Sequence, residues 1–336
     1  MNMTYDCFTF FNELDLLEIR LNILNDVVDH FVLVEATKTF TNKEKPLYFD
    51  KNKDRYSRFL HKIIHVIVDD SPPFEIAWEN ENFQRNSIMR GLQGLTPDAI
   101  IMVSDVDEIP NPVMVEKYKN TKGIKLFEMR MCYYYLNYLN YSFPVWRLGT
   151  KMLSYHDFLN LDDKHITYGE FLPASLNQGP TPAKVRNYAK TLSIRNAGWH
   201  FSYLGGEEAI RNKIQSFSHQ EYNRAPYCNP DWIQQCLQTG KDVFGRSSRY
   251  FGLKIDSTFP DYIVKRQHDQ AYQYLIFSIT ETYLRKTKWR RLYFGLFGCM
   301  FDWFVFRILP RSIHPVLIKL KHFFVPLRNT LMGLRN

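Results

Sequence analysis

Cysteine is scarce in this sequence, with five residues in 336 and no CxxC pair among them. This usage predicts reduced, mostly buried thiols in a reducing compartment. The first strand-like segment, YDCFTFFNE, contains no glycine, so it lacks the loop with which a sugar-phosphate nucleotidyltransferase would cradle phosphate. The N-terminus lacks a basic segment followed by a long apolar run. We therefore expect neither a signal peptide nor an N-terminal anchor, and a cytoplasmic location.

Acidic residues are almost missing from the C-terminal part of the chain. Residues 285–336 contain eleven Lys and Arg and one acid, Asp302, and so have a formal charge of +10, whereas the whole chain has a net charge of +8. The rest of the chain carries −2, so its main body is not expected to bind nucleic acid. This contrast predicts two parts, a catalytic domain over residues 1–284 and a basic, apolar helical tail over residues 285–336.

The role of the tail stays open between three alternatives. Its helices pack on the catalytic domain, mediate a dimer, or attach peripherally to an anionic membrane through residues 289–336. The apolar stretch 292–309 is at the lower limit for spanning a bilayer, and its Asp302 and Arg307 disfavour spanning.

Strand-like and helix-like segments alternate along the first 110 residues. The strand-like runs are residues 5–10, 30–37, 62–70 and 99–105, and residues 77–95 have the pattern of a helix. Such alternation predicts an α/β fold whose parallel strands are covered by helices. The aromatic stretch 125–146 predicts further strands of a mixed sheet, or else rings that form a platform for an acceptor sugar. Residues 176–187 are predicted to be an exposed loop.

Carboxylates follow three of the predicted strands, at the sheet edge where ligands bind in such folds. Glu35 ends the second strand, and Asp69 and Asp70 end the third, where a turn accounts for them. Asp105 and Asp107 follow the fourth strand two residues apart. This oxygen-rich pair is suited to Mg²⁺ or Mn²⁺, which would neutralise the diphosphate of a nucleotide sugar.

A second group of candidates lies in residues 196–223. Glu207 and Glu208 are predicted in the first turn of a helix, where the helix macrodipole favours acids. The same placement keeps a carboxylate ionised, as a general base requires. His200 lies on an apolar segment and is either a structural histidine or a contact for metal or phosphate.

Five stretches of the sequence resemble glycosyltransferase family 17. They are YDCFTFFNELDLLEIRL, DVVDHFVLVEATKTFTNKEKPLYF, ENFQRNSIMRGL, VSDVDEIPNP and NAGWHFSYLGGEEAI, in family order, and the resemblance covers roughly residues 5–265. The resemblance implies a GT-A-type (Rossmann-like) α/β fold with a mixed sheet flanked by helices. It also implies a UDP-sugar donor, a divalent metal and inversion at the anomeric carbon.

The resemblance also implies roles for individual residues. Asp105 and Asp107 take the positions of the acidic motif, and Arg85-Asn86 resembles the pair that many GT-A enzymes place ahead of it. Glu208 aligns with the acid that follows the Trp-His segment in vertebrate relatives. The expected site is thus catalytic Glu208 and Asp107, donor-binding Glu35, Arg85, Asn86 and Asp105, and Mn²⁺ or Mg²⁺ on Asp105, Asp107 and His200.

The expected function is inverting transfer of N-acetylglucosamine from UDP-GlcNAc to a sugar hydroxyl, with Glu208 as base. The acceptor stays open between a glycoprotein, a surface polysaccharide and a lipid-linked sugar. Two alternatives remain: a non-catalytic glycan-binding protein that has kept the fold, and a sugar-phosphate nucleotidyltransferase.

Overall fold

Two mixed β-sheets and their covering helices make up the part of the chain that the computed structural model describes, residues 2–167 and 179–303. The strands are β1 (Thr4–Phe10), β2 (His30–Ala36), β3 (Ile63–Val68), β4 (Ile100–Asp105), β5 (Glu108–Pro110), β6 (Lys125–Phe127), β7 (Met129–Tyr133), β8 (Tyr138–Asn140), β9 (Val145–Trp146), β10 (Lys151–Ser154), β11 (Leu192–Ile194), β12 (Gly198–Ser202) and β13 (Tyr250–Gly252). The α-helices are α1 (Leu14–Leu24), α2 (Tyr48–Lys51), α3 (Ala77–Asn86), α4 (Pro112–Tyr118), α5 (Tyr155–Leu159), α6 (Pro182–Asn187), α7 (Gly206–Ser216), α8 (Pro230–Thr239), α9 (Asp261–Arg266) and α10 (Glu281–Trp303). Short 3₁₀ helices cover Lys53–Lys62, Ser87–Gly91, Asp163–His165, Gln220–Tyr222 and Gln270–Leu275.

The first sheet has the strand order β11-β6-β10-β4-β1-β2-β3. Its strands β1 to β4 run parallel to one another, as the alternating pattern predicted. Strand β10 runs antiparallel to both β4 and β6, so the sheet as a whole is mixed. The predicted α/β class with a mixed sheet flanked by helices is confirmed at this level, and the GT-A assignment stays a prediction.

The second sheet has the order β13-β8-β7-β12-β5, with β9 paired to β7. It shares one hydrophobic core with the first sheet, since Phe8 of β1 and Phe201 of β12 belong to the same buried cluster. Aromatics of the 125–146 stretch fill a separate core, in which the Tyr133 ring stacks on Tyr250 and the Tyr134 ring meets both of them edge-on. Packing therefore explains most rings of that stretch.

Two predicted segments differ from the structure. The helix expected over residues 77–95 ends at Asn86 and continues as a 3₁₀ turn to Gly91. A side chain at position 91 would meet Val32 Cγ1 at 2.5 Å, so this turn packs tightly on β2. The exposed loop expected over 176–187 is wrong for its last six residues, which form α6, with Ala183 and Lys184 buried. Residues 176–178 lie outside the described part.

The predicted tail is described only over its beginning. Helix α10 spans the predicted domain boundary at residue 285, and residues 304–336 lie outside the described residues. Among the residues that the structure describes, no helix is both long and apolar enough to span a bilayer. The division into two domains and the role of the tail stay predictions.

Candidate active site

A cavity of about 690 Å³ opens at the carboxyl ends of β1, β2 and β4. The chain runs from β1 outward to β2 and β3 and then returns to β4 on the other side of β1. The cavity therefore lies at the point where the strand order reverses, which is the usual ligand site of open α/β sheets. Its volume is within the range of small-molecule sites, roughly 300–1,000 Å³.

Asp105, the last residue of β4, lies between two arginines on the cavity wall. Arg85 Nη1 of α3 is 2.6 Å from Asp105 Oδ1, and Arg186 Nη2 of α6 is 3.2 Å from Asp105 Oδ2. Burial alone would raise the pKa of Asp105, but the two guanidinium groups hold it below its usual value. The carboxylate is ionised, and 35% of its side chain stays exposed to the cavity.

The buried Glu108 side chain, behind the cavity wall, holds Arg186 in place. Its two oxygens accept bonds from Arg186 Nη1 at 2.6 Å and Nη2 at 2.9 Å. The same carboxylate accepts the Trp146 indole N–H at 2.7 Å, which sets the orientation of that ring in the wall. A bidentate arginine–carboxylate pair is geometrically rigid, so Arg186 presents a fixed positive charge to the cavity. The sequence prediction missed both Arg186 and this role of Glu108.

Asp107 is nearly buried and has three polar partners. Lys213 Nζ of α7 lies 2.9 Å from Oδ2, Ser202 Oγ donates to Oδ2 at 3.3 Å, and His200 Nε2 lies 3.5 Å from Oδ1. Burial alone would raise the pKa of Asp107, but Lys213 and His200 lower it strongly. Lys213 is the second cavity residue that the sequence prediction missed.

Arg20 of α1 holds the backbone turn that carries both aspartates. Its Nη1 donates to the carbonyl oxygens of Asp105 at 3.0 Å, Val106 at 3.2 Å and Glu108 at 2.8 Å. Its other nitrogens form a bidentate pair with Asp6 of β1, and both side chains are fully buried. The turn is therefore fixed to the sheet by one side chain.

The structure brings four of the predicted residues together at the cavity, namely Arg85, Asp105, Asp107 and His200. Glu35 is fully buried outside the wall, where it accepts the Phe49 N–H at 2.9 Å. Asn86 also lies outside it, and its Oδ1 accepts the Ala183 N–H at 3.0 Å, which positions α6 and hence Arg186. Asn86 thus supports the site indirectly.

Glu208 lies in the first turn of α7, as predicted, but its side chain is exposed and outside the cavity wall. The wall contains two other glutamates, Glu13 and Glu81. Both oxygens of Glu81 are engaged, one by Arg85 Nη2 at 2.6 Å and one by the Ser218 hydroxyl. Glu13 Oε2 accepts two backbone N–H groups at 3.0 and 3.2 Å, and the charged group near its Oε1 is Lys213 Nζ, at 3.8 Å.

The carboxylate oxygens predicted to bind a metal already have positively charged or histidine partners. Each of the four carboxylate oxygens of Asp105 and Asp107 has an arginine, lysine or histidine nitrogen within 3.5 Å. No group of three or more His, Cys, Asp or Glu side chains suited to a metal is present among the described residues. A divalent cation at Asp107 would have to displace Lys213, so the arrangement does not fit a resident metal. The assignment of Mn²⁺ or Mg²⁺ to Asp105, Asp107 and His200 stays a prediction.

The sequence of this chain is similar to a known protein family and to individual proteins. Residues 1–166 match the model of glycosyltransferase family 17. The chain is 32% identical over 294 residues to beta-1,4-mannosyl-glycoprotein 4-beta-N-acetylglucosaminyltransferase of Rattus norvegicus, and 31% identical over 294 residues to that of Mus musculus. Each alignment covers 79% of this chain and 53% of the relative, so the chain spans about half the length of these relatives. The match over residues 1–166 confirms the predicted resemblance of this chain to glycosyltransferase family 17.

Proposed function

We propose that this protein is an inverting glycosyltransferase that moves N-acetylglucosamine from UDP-GlcNAc to a sugar hydroxyl of a glycan acceptor. The family match supports the reaction class, and the names of the relatives support the donor sugar. The observation that carries the proposal is the cavity at the strand-order reversal, in which Arg85, Arg186 and Lys213 surround two ionised aspartates. This array suits a ligand that has both a diphosphate and hydroxyl groups.

The charged residues of the cavity contact different parts of the UDP-sugar donor. Asp105 stays partly exposed and accepts hydrogen bonds from hydroxyl groups of the ribose. Arg186, locked by Glu108, and Lys213 face the leaving diphosphate and stabilise its developing charge. Such preorganised charges act at the transition state without a reorganisation cost. The hydroxyl of the acceptor attacks the anomeric carbon on the opposite face, and the bond to the UDP oxygen breaks.

Two glutamates compete for the role of the base that takes the hydroxyl proton. The resemblance to glycosyltransferase family 17 favours Glu208, whereas a base must come within hydrogen-bond reach of the acceptor, directly or through one water. Glu13 meets that condition better, because it lies in the cavity wall and two backbone N–H groups fix its carboxylate. We propose Glu13 as the base that the geometry favours and keep Glu208 as the alternative from the sequence.

Glutamine variants separate these two assignments. Glu13→Gln is expected to lower kcat by about 10²-fold, the lower range for loss of a general base, with little change in the affinity for UDP. Glu208→Gln is the matched comparison, since it makes the same change on an exposed side chain in the first turn of α7. Steady-state kinetics and UDP titration measure both effects. A large loss of kcat in Glu208→Gln alone would return the role to Glu208.

The acceptor follows from the names of the relatives, which act on a mannosyl-glycoprotein. We propose a mannose-containing glycan as the first acceptor to test, with surface polysaccharides and lipid-linked sugars as the other classes. Trp78 and Trp146 lie in the cavity wall, and we propose that their rings contact the acceptor sugar. We also propose a cytoplasmic location, with peripheral contact between residues 289–336 and an anionic membrane. Of the acceptor classes, that location would favour a lipid-linked or surface glycan.

A donor screen tests the function directly. The purified chain is incubated with individual nucleotide sugars and a glycan array, and both nucleotide release and acceptor mass are measured. We expect release of UDP from UDP-GlcNAc and an acceptor mass gain of one N-acetylhexosamine. Glycan binding without nucleotide release would support the non-catalytic alternative. Release of pyrophosphate from UTP and a sugar phosphate would support a nucleotidyltransferase.

A further inference from the structure

We propose that the Lys213 ammonium takes the position of the divalent metal in this site, so that the chain binds the diphosphate of its donor without a metal ion. This inference rests on the proposed function, since it concerns how the same cavity holds UDP. It departs from the metal expected at Asp105 and Asp107, and it assigns the neutralising charge to a residue of the chain itself.

The position of Lys213 is the first support. Its Nζ lies 2.9 Å from Asp107 Oδ2 and 3.8 Å from Glu13 Oε1, so it bridges acids that follow two different strands. A quarter of its side chain, 26%, remains exposed, and Lys213 lines the cavity. Its ammonium also lies 5.3 Å from the centre of the Tyr203 ring. The charge is therefore held in place while one side of it faces the ligand space.

The chemistry of the ammonium is the second support. A lysine ammonium has three N–H donors, and Asp107 occupies one of them. The other two can donate to phosphate oxygens, a role in which lysine acts as a point charge. A lysine ammonium is charged at neutral pH, and the Asp107 carboxylate 2.9 Å away pairs with that charge.

The neighbouring charges are the third support. Arg186 lies in the same cavity wall as Lys213 and is held there by Glu108. Arg85 pairs with Oδ1 of Asp105, the oxygen that does not face Arg186. A diphosphate carries negative charge on several oxygens, and two arginines with one lysine can contact it at several points. A metal bound to Asp107 would have to break the closer of the two Lys213 ion pairs, at 2.9 Å, and would bring a second positive charge next to the ammonium.

Titration of UDP separates a lysine site from a metal site. Isothermal titration calorimetry measures the dissociation constant of UDP in EDTA and in MnCl₂ for the full chain. We expect the same dissociation constant in both buffers for the unchanged chain. Lys213→Met is expected to weaken binding in EDTA by about 10- to 100-fold, the range for loss of a charged hydrogen bond. MnCl₂ should restore most of that affinity, because Asp107 and His200 are then free to bind the metal.

Two further variants keep the result interpretable. Lys213→Arg preserves the charge and should bind UDP in EDTA better than Lys213→Met. Lys265→Met removes an exposed helical lysine outside the cavity wall and should behave like the unchanged chain. Thermal melts establish that every variant is folded.

Each outcome then decides one question. UDP binding by the unchanged chain only in MnCl₂ would overturn this inference and leave the proposed function standing. Unaltered UDP binding by Lys213→Met in EDTA would overturn it as well. No UDP binding in either buffer would instead overturn the proposed function and this inference with it.

Discussion

Replacement of Arg20 by methionine is expected to lower the free energy of unfolding by about 3–5 kcal/mol, the usual cost of breaking a buried ion pair from one side. Arg20 and Asp6 are both fully buried, and they form two hydrogen bonds at 2.8 and 2.6 Å. The Arg20→Met chain would keep an uncompensated Asp6 carboxylate in the core. It would also leave three turn carbonyl oxygens without this donor.

Urea denaturation measures the loss of stability, and two matched variants establish its cause. Arg55→Met removes an arginine of the exposed cluster with Asp15 and Glu18, and such surface pairs contribute about 0–1 kcal/mol. The double variant Asp6→Leu with Arg20→Met removes both buried charges and should recover part of the stability. It should not recover activity, because the turn that carries Asp105 and Asp107 still lacks its anchor. Wild-type stability of Arg20→Met would contradict this account.

The sequence was sufficient to predict the strands that build the site, because their signal is local. Four apolar runs became parallel neighbours, and the register places Thr9 of β1 opposite Asp105 of β4. The Asp105 and Asp107 pair was therefore predicted at the correct sheet edge. Arg85 was also predicted, since the resemblance to glycosyltransferase family 17 includes it.

Two of the three cations of the site, Arg186 and Lys213, depend on tertiary contacts that sequence patterns do not reveal. Arg186 lies 81 residues after Asp105, in a segment rich in glycine and proline that reads as a loop. It becomes part of the wall because Asn86 accepts the Ala183 N–H of the short helix α6 and Glu108 holds its guanidinium. Lys213 lies 106 residues after Asp107, on a helix whose apolar stripe predicts only that the helix packs on the domain.

Glu35 and Glu208 were predicted in the site but lie outside the cavity wall. Both lie where the sequence pattern expects functional acids, one at a strand end and one at a helix start. The structure gives the first a buried hydrogen bond to Phe49 and leaves the second exposed to solvent. Position along an element was predictable, whereas the direction of the side chain was decided by packing around it.

Asp107→Asn is expected to lower kcat/KM by about 10²–10³-fold, the range for removal of one preorganised charge contact at a transition state. Asparagine has nearly the same shape, so the fold should persist, but it carries no negative charge for Lys213 and His200. The ammonium of Lys213 would then lose the ion pair that fixes it beside the diphosphate. Turnover with UDP-GlcNAc, measured in EDTA and in MnCl₂, reports the loss. Asp69→Asn is the matched control, because Asp69 is an exposed acid just after β3 and outside the cavity wall.

The double variant Asp107→Asn with Lys213→Met distinguishes the two roles of this pair. If Asp107 acts by holding Lys213, the two single losses overlap in EDTA, and the double variant there is little worse than either one. If Asp107 instead binds a metal in the unchanged chain, that chain should turn over only in MnCl₂, and Asp107→Asn should lose that turnover. Full activity of Asp107→Asn in both buffers would contradict a functional role for the acidic pair, because neither anchoring nor metal binding survives the loss of that charge.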